Sequence, residues 1–310
     1  MRPTFSIIFF TVVSGCGFGL LFFAGVILCA APEMLPRHAA LATLMLGTVF
    51  AAAGLSSSLL HLGQPQRAWR ALSQWRSSWL SREGVAALAT FIPTAILFCL
   101  VWNASAHTRV LSALVAVLSA ITVVCTSGIY TSLKTIRAWS NGWVLSAYLS
   151  LGAASAASWL WLVTTIVEGT TYAAWFVIAL CVLGACIKFG YWRFVDSYVG
   201  ESTPESATGL GHLGKVRTFE APHTEENYLT REMGFVLARK HAPALRSIAL
   251  VLFAVLPIVA AIVVLIAGPS IVFASIAAVS IIAGLFVERW LFFAQARHKV
   301  MLFYARHPDA

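Results

Sequence analysis

Charged residues are scarce in this sequence of 310 residues. Asp, Glu, Lys and Arg make up 11% of the chain, whereas hydrophobic residues make up 59%. Soluble globular domains carry about 25% charged residues, because their surfaces must face water. The composition therefore excludes an ordinary soluble domain and predicts a protein whose outer surface faces lipid.

Long polar stretches are also few, since apolar runs fill most of the chain. A helix needs roughly 20 apolar residues to cross a hydrocarbon core of about 30 Å. Eight runs reach that length, and they cover residues 5–31, 39–62, 84–103, 109–133, 143–167, 172–194, 245–267 and 270–294. Because lipid cannot satisfy backbone polar groups, each run is expected to be a helix. The predicted fold class is all-α: one membrane domain, 1–310, with eight transmembrane helices.

Clusters of metal-binding residues are missing as well. All six cysteines fall inside predicted spans and none forms a CxxC motif, whereas iron–sulfur clusters need thiolates at motif spacing. Only His61 of the eight histidines lies at a span, so the paired axial histidines of a membrane haem are not available. We therefore expect no haem, no iron–sulfur cluster, no other metal site and no catalytic constellation in this chain.

Positive charge is almost absent from one side of the predicted bundle. Of the 21 Lys and Arg residues, 19 lie on the side that holds the N-terminus, and only Arg37 and Arg109 lie on the other. The positive-inside rule assigns the richer side to the cytoplasm. The net charge of +9 thus follows membrane topology rather than a nucleic-acid surface, and both termini are predicted to be cytoplasmic.

The cytoplasmic segment 64–82 alternates arginine with tryptophan. Trp69, Leu72, Trp75 and Trp79 recur every three or four residues, which places them on one face of a helix. Tryptophan prefers the headgroup layer of a membrane. This pattern predicts an interfacial helix that lies flat on the cytoplasmic surface.

The cytoplasmic loop 195–245 is the only large polar stretch. It begins with glycines and proline, and then predicts an amphipathic helix over 225–241 with an apolar stripe that includes Leu229, Met233 and Val236. Either lipid headgroups or a protein partner could cover this stripe. A partner is the favoured interpretation, because the stripe is short and is not bordered by basic residues on both sides.

Several ionisable side chains are predicted at the cytoplasmic ends of four spans. His61 ends the second span, Glu83 follows a predicted Ser81 N-cap at the start of the third, and Tyr130 lies near the end of the fourth. Glu288 and Arg289 lie near the end of the eighth. Ionisable groups at membrane depth are costly and are therefore candidates for function. Reduction or oxidation of a quinone moves two protons, for which a histidine and a carboxylate are suitable groups.

Simpler interpretations of these residues remain open. A carboxylate in the first turn of a helix is favoured by the helix dipole, and a histidine at a helix end can serve as a cap. Gly47, Gly54 and His61 follow one another at intervals of seven, so they share a helix face. That face could hold a flat ring or could pack closely against another helix.

Two motifs lie between residues 60 and 84: LHLGQPQRAWR at 60–70 and SSWLSREG at 77–84. These motifs resemble those of the membrane-anchor subunits of the dimethyl sulfoxide reductase family. Tyr130 followed by Ala138-Trp139, and Ala283-Gly284 followed by Arg289, extend the resemblance over all eight spans. In this resemblance the acidic residue beside the arginine of the eighth span is displaced, here to Glu288.

The resemblance implies a membrane anchor of a bacterial inner-membrane complex. Its partners would be a four-cluster ferredoxin-like iron–sulfur subunit and a molybdopterin subunit, which would hold the metal cofactors and do the molybdenum chemistry. This chain would exchange electrons with ubiquinone or menaquinone, with His61, Glu83, Tyr130 and Arg289 at the quinone site. An inward-facing complex is similar to the membrane-bound sulfite dehydrogenases; an outward-facing reductase that oxidises quinol is the alternative. A small-solute transporter is an alternative of another class, although the polar groups lie at one face and not at the midplane.

Overall fold

The structure, a computed structural model, describes residues 4–59, 64–105, 107–197, 203–216, 219 and 241–296. Within these ranges, eight helices are long and apolar enough to cross a membrane, and no strand is present. The prediction of an all-α polytopic membrane protein is confirmed.

The eight membrane helices are numbered α1 to α8 in chain order. Their bounds are Phe5–Ala30, Arg37–Leu59, Trp79–Trp102, Arg109–Thr131, Gly142–Glu168, Ala173–Asp196, Ala242–Ala267 and Ile271–Ala294. Seven begin within three residues of the predicted position. The exception is α3, which begins five residues early because Ser78 and not Ser81 is its N-cap.

Helices α1 and α5 form the interior of the bundle. Helix α1 packs against α2, α4, α5 and α8, and α5 packs against α4, α6 and α8 as well. The outer helices expose their large apolar side chains, as a surface in contact with lipid requires.

Close backbone contact joins α1 to α2. A Cβ atom at Gly17 would lie 2.3 Å from the Ala51 nitrogen, and one at Gly54 would lie 2.5 Å from the Ser14 nitrogen. Small residues let membrane helices approach in this way. The glycine face of α2 is therefore filled by α1 along Gly47 and Gly54, which leaves no room there for a flat ring.

Helix α7 contains a π-helical turn at Val251–Val255, followed by Pro257. Proline has no N–H, so the carbonyl four residues earlier loses its usual helical partner. That carbonyl belongs to Phe253, and the Cys181 thiol of α6 donates to it over 3.3 Å. Cys181 is thus a buried packing residue. All six cysteines are free thiols, of which Cys99 and Cys186 are exposed on the outer surface.

The segment before α3 differs from the predicted interfacial helix. A 3₁₀ helix covers Pro65–Gln74, and Trp79 belongs to α3. Trp69 and Trp75 are exposed, whereas Leu72 lies against Gly84 and Trp79 lies against Gly128 of α4. The four apolar residues therefore do not share a single helix face.

Of the loop 195–245, the described residues are 195–197, 203–216, 219 and 241–245. A short helix at Pro204–Thr208 begins with a capping box formed by Thr203 and Ser206, and Gly209 ends it with a positive φ. The predicted helix 225–241, with Leu229, Met233 and Val236, lies outside the described residues except for its last residue, His241.

Candidate functional site

Direct contacts bring the ends of α4 to α8 together at one end of the bundle. In the turn between α4 and α5, the Trp139 indole N–H donates to the Phe292 carbonyl of α8 over 3.0 Å. Arg246, near the start of α7, pairs with Asp196 at the end of α6 over 2.6 and 2.9 Å. Arg246 also reaches Gln295, just beyond α8, at 3.4 Å.

Glu83 is buried at this same end, in the second turn of α3. The helix begins at Trp79, so the carboxylate lies beyond the first turn, where the helix dipole acts most strongly. Only 3% of its surface is exposed. The prediction that Ser81 is the N-cap, two residues before Glu83, is therefore wrong, and the helix dipole is a weak reason for a carboxylate here.

The partner of Glu83 is the Thr126 hydroxyl of α4, which donates to its Oε1. The same hydroxyl lies 3.0 Å from the Thr122 carbonyl, the usual acceptor for a threonine within a helix. A hydroxyl has one proton to donate and two lone pairs that accept. Thr126 can therefore donate to an ionised Glu83, or accept from a protonated one while it donates to Thr122.

Tyr130 lies one turn beyond Thr126, within a cluster of aromatic side chains. Its ring stacks with Tyr148 of α5 at a centroid distance of 5.8 Å and an interplanar angle of 23°. Trp139, Phe292 and Phe293 surround it with centroids 5.4 to 5.7 Å away. Such flat, apolar walls with a few polar groups are typical of sites that bind a planar ligand.

Arg289 of α8 adds a buried positive charge to this cluster. Its guanidinium carbon lies 3.9 Å from the centroid of the Tyr148 ring and 5.6 Å from that of Phe292. The residue is only 4% exposed. Tyr148 thus contacts both the guanidinium of Arg289 and the ring of Tyr130.

Arg289 belongs to an ion-pair triad with Glu288 and Lys188. The Lys188 Nζ atom of α6 lies 2.5 Å from Glu288 Oε1, and Arg289 Nη1 lies 3.2 Å from Glu288 Oε2. The contact of Arg289 Nη1 with Glu288 is an ion pair without a hydrogen bond. Lys188 and Glu288 are each 1% exposed, so both charges are removed from water and lipid. A buried charge of this kind is tolerated only when it is paired.

A chain of direct contacts joins Glu83 to the triad across the tyrosines. Thr126, which donates to Glu83, lies one turn from Tyr130 on α4; the Tyr130 ring stacks with Tyr148, and Arg289 lies over the Tyr148 ring. The structure therefore brings together three of the four predicted site residues: Glu83, Tyr130 and Arg289.

His61, the fourth, lies outside the described residues, as does the whole LHLG motif at 60–63. The described part of α2 ends at Leu59. The pairing of His61 with Glu83 stays a prediction.

Three buried groups of this site were not recognised in the sequence as members of it: Lys188, Tyr148 and Thr126. Lys188 carried a usable signal, since it lies eight residues before the end of α6, which places it about 12 Å inside the helix. A lysine at that depth needs a partner. From the sequence alone, it counted only as one of the positive charges on the cytoplasmic side.

Comparison with known proteins agrees with the motifs in the sequence. The family described as "DMSO reductase anchor subunit (DmsC)" matches residues 1–295. The chain is 32% identical to a sulfite dehydrogenase subunit of Allochromatium vinosum, over 98% of this chain and 99% of that protein. No solved structure matches the chain. The predicted resemblance is confirmed, and this chain belongs to the family of DMSO reductase anchor subunits.

Proposed function

We propose that this anchor subunit passes electrons between an iron–sulfur partner and the quinone pool, in a complex that oxidises sulfite to sulfate. The observation that carries the proposal is the buried cluster of Glu83, Tyr130 and Arg289 at one end of the bundle. Family membership supports the anchor role, and the name of the relative, which is a sulfite dehydrogenase subunit, supports the choice of substrate.

The side chains of the cluster match the chemistry of a quinone. Its flat ring stacks on aromatic side chains, and its two carbonyl oxygens accept hydrogen bonds. Tyr130 and Tyr148 supply the rings, and Arg289 supplies a donor that always carries charge.

Reduction of a quinone to a quinol takes up two electrons and two protons. The electrons would come from the iron–sulfur partner, and the protons need groups that can exchange them. Glu83 has a hydroxyl partner that accommodates either protonation state, and His61 supplies an imidazole, a type of group that ordinarily exchanges protons near neutral pH. We propose that these two residues deliver protons to ubiquinone or menaquinone.

The proposal includes a cytoplasmic position for the site, for the partners and for both termini, in the bacterial inner membrane. The exposed Trp69 and Trp75, each with an arginine 5.5 Å from its ring, lie in the segment that leads into α3 and Glu83. We propose that this segment and the loop 195–245 hold the four-cluster iron–sulfur subunit, which in turn holds the molybdopterin subunit. Their metal cofactors would lie in those partners, with no haem in this chain.

The alternative is a complex on the outer side of the membrane that oxidises quinol and reduces dimethyl sulfoxide or a related compound. The two functions differ in the side on which the C-terminus lies. A reporter that is active only outside the cytoplasm, fused after Ala310, should remain silent. A strongly active fusion would contradict the inward-facing complex and the proposal of sulfite as substrate.

The proposed function is tested by comparing two electron acceptors in the purified three-subunit complex. His61→Ala should abolish sulfite oxidation with a quinone and leave sulfite oxidation with a soluble acceptor unchanged, because that reaction takes place in the partner. Glu83→Gln should slow the quinone reaction less and alter its pH dependence. Matched controls are His107→Ala and Glu33→Gln, both exposed near the other end of the bundle. Normal quinone turnover per assembled His61→Ala complex would show that the histidine is structural.

A further inference from the structure

In the Lys188–Glu288–Arg289 triad, the two oxygens of one carboxylate contact two different cations. An ion pair that only joined α6 to α8 would not require this geometry. Lys188 approaches Oε1 of the Glu288 carboxylate, and Arg289 approaches Oε2. Each oxygen therefore serves one cation. Lys188 of α6 holds the carboxylate through Oε1, so Oε2 is left to contact the guanidinium of Arg289.

The guanidinium of Arg289 is positioned by two contacts. Its carbon lies over the Tyr148 ring, 3.9 Å from the ring centroid, and Glu288 Oε2 lies 3.2 Å from Nη1. A guanidinium has five N–H donors in a fixed plane. Among the described residues, Nη1 is buried and has no hydrogen bond of acceptable angle. The guanidinium thus lies over the Tyr148 ring with a buried N–H group that can still donate a hydrogen bond.

Lys188 supports this arrangement from a helix that does not carry Arg289. Its ammonium group lies 3.9 Å from the Tyr191 ring centroid and 5.2 Å from that of Trp192, so aromatic rings as well as Glu288 fix its place. Since it occupies Oε1, Glu288 cannot turn both oxygens toward Arg289. Arg289 therefore does not form a bidentate ion pair with Glu288, and its guanidinium stays over the Tyr148 ring.

We propose that Glu288 and Lys188 are positioning residues of the quinone site, which hold Arg289 over Tyr148 so that it donates to a quinone oxygen. This inference rests on the proposed function. In this inference, the buried ion pair between Lys188 and Glu288 fixes the position of the Arg289 guanidinium, which is the charged group that contacts the quinone. The simpler possibility is that the pair only ties the two helices together.

Exchange of the two charges separates these roles. The double variant Lys188→Glu with Glu288→Lys restores an ion pair between α6 and α8, but it removes the carboxylate from the position beside Arg289. Three complexes are compared with the native one: this exchange, Glu288→Gln and Lys188→Arg. Glu168→Gln, at the exposed end of α5, is the matched control. The measurements are the amount of assembled complex, sulfite oxidation with a soluble acceptor, and KM and kcat for a water-soluble short-chain quinone.

A positioning role predicts that Glu288→Gln raises the KM for quinone roughly tenfold per assembled complex, since small displacements in a site have effects of that size or larger. Lys188→Arg should keep KM within about threefold, because a cation still occupies Oε1. The exchange should recover assembly without recovering KM. Soluble-acceptor activity should stay at the native level in all three.

Recovery of both assembly and KM by the charge exchange would overturn the inference and leave the pair as a tie between helices. So would a Glu288→Gln complex that assembles poorly but has the native KM. Parallel measurement of Glu83→Gln separates this result from failure of the proposed function. If Glu83→Gln changes the quinone kinetics and Glu288→Gln does not, only the positioning role is wrong; if neither changes them, the quinone site itself is misplaced.

Discussion

Two buried carboxylates lie at the same end of this bundle in opposite electrostatic surroundings. Glu288 has a cation on each oxygen, at 2.5 and 3.2 Å. Glu83 is just as deeply buried, yet its direct hydrogen-bond partner is the Thr126 hydroxyl. A carboxylate between two cations is held in its charged form, whereas one that contacts a hydroxyl can change protonation state without breaking an ion pair.

The difference divides the work of the site between two regions. The α6–α8 side supplies a fixed charge, Arg289, with the ion pairs that hold it. The α3–α4 side supplies a carboxyl group whose hydrogen bond tolerates gain or loss of a proton. Since quinone reduction needs both an orienting charge and a proton donor, we interpret the two carboxylates as parts with separate roles.

The largest expected effect is on stability, and it should fall on Glu288. Glu288→Ala leaves Lys188 and Arg289 buried and unpaired, which should lower the free energy of unfolding by about 3–5 kcal/mol. Glu83→Ala leaves the Thr126 hydroxyl with the Thr122 carbonyl as an alternative acceptor, so the free energy of unfolding should fall by only about 1–2 kcal/mol. Thermal unfolding of the purified anchor in detergent measures both, with Glu168→Ala as the control. Equal losses at the two sites would remove the basis of the comparison.

A smaller effect is expected at Thr126, and it concerns turnover. Thr126→Val removes the hydroxyl that contacts Glu83, and a hydrogen bond to a charged group contributes about 1.5–3 kcal/mol. We expect kcat/KM for the quinone reaction to fall about tenfold or more, with sulfite oxidation by a soluble acceptor unchanged. Thr126→Ser keeps the hydroxyl and should restore most of the activity. A serine variant as slow as the valine variant would show that the side chain acts through packing alone.

The smallest effect is expected at Arg82, the cation next to Glu83 in sequence. Its guanidinium donates to the Trp75 and Arg76 carbonyls at 3.0 and 2.8 Å and lies over the Trp79 ring. It therefore fixes the turn before α3 and does not balance the charge of Glu83. Arg82→Gln should leave the pH profile of quinone turnover unchanged and should cost about 1 kcal/mol of stability. A shifted profile would mean that Glu83 has a cationic partner after all.

Much of the fold could be predicted from the sequence, because span length is a direct consequence of bilayer thickness. The start of α3 could not, since Trp79 to Glu83 interrupts the apolar pattern that marks a span. The cap is Ser78, three residues before the residue that was expected to cap the helix.

The site was only partly predictable for a similar reason. Glu83, Tyr130 and Arg289 occupy positions that the family motifs mark. Lys188 pairs with a residue 100 positions further along the chain, and only the packing of α6 against its neighbours brings the two together. Tyr148 looks like any aromatic residue of an apolar span until Arg289 is found over its ring.

The most direct test of the account is to find where a quinone binds in the intact complex. A photoreactive azidoquinone would be irradiated with the complex in native membranes, and labelled peptides of each subunit would be identified with and without excess unlabelled quinone. We predict competed labelling of this chain at the end that carries Glu83, Tyr148 and Arg289, and loss of that labelling in His61→Ala. Competed labelling confined to another subunit, or to the end of this chain that carries Arg37 and Arg109, would contradict the central claim.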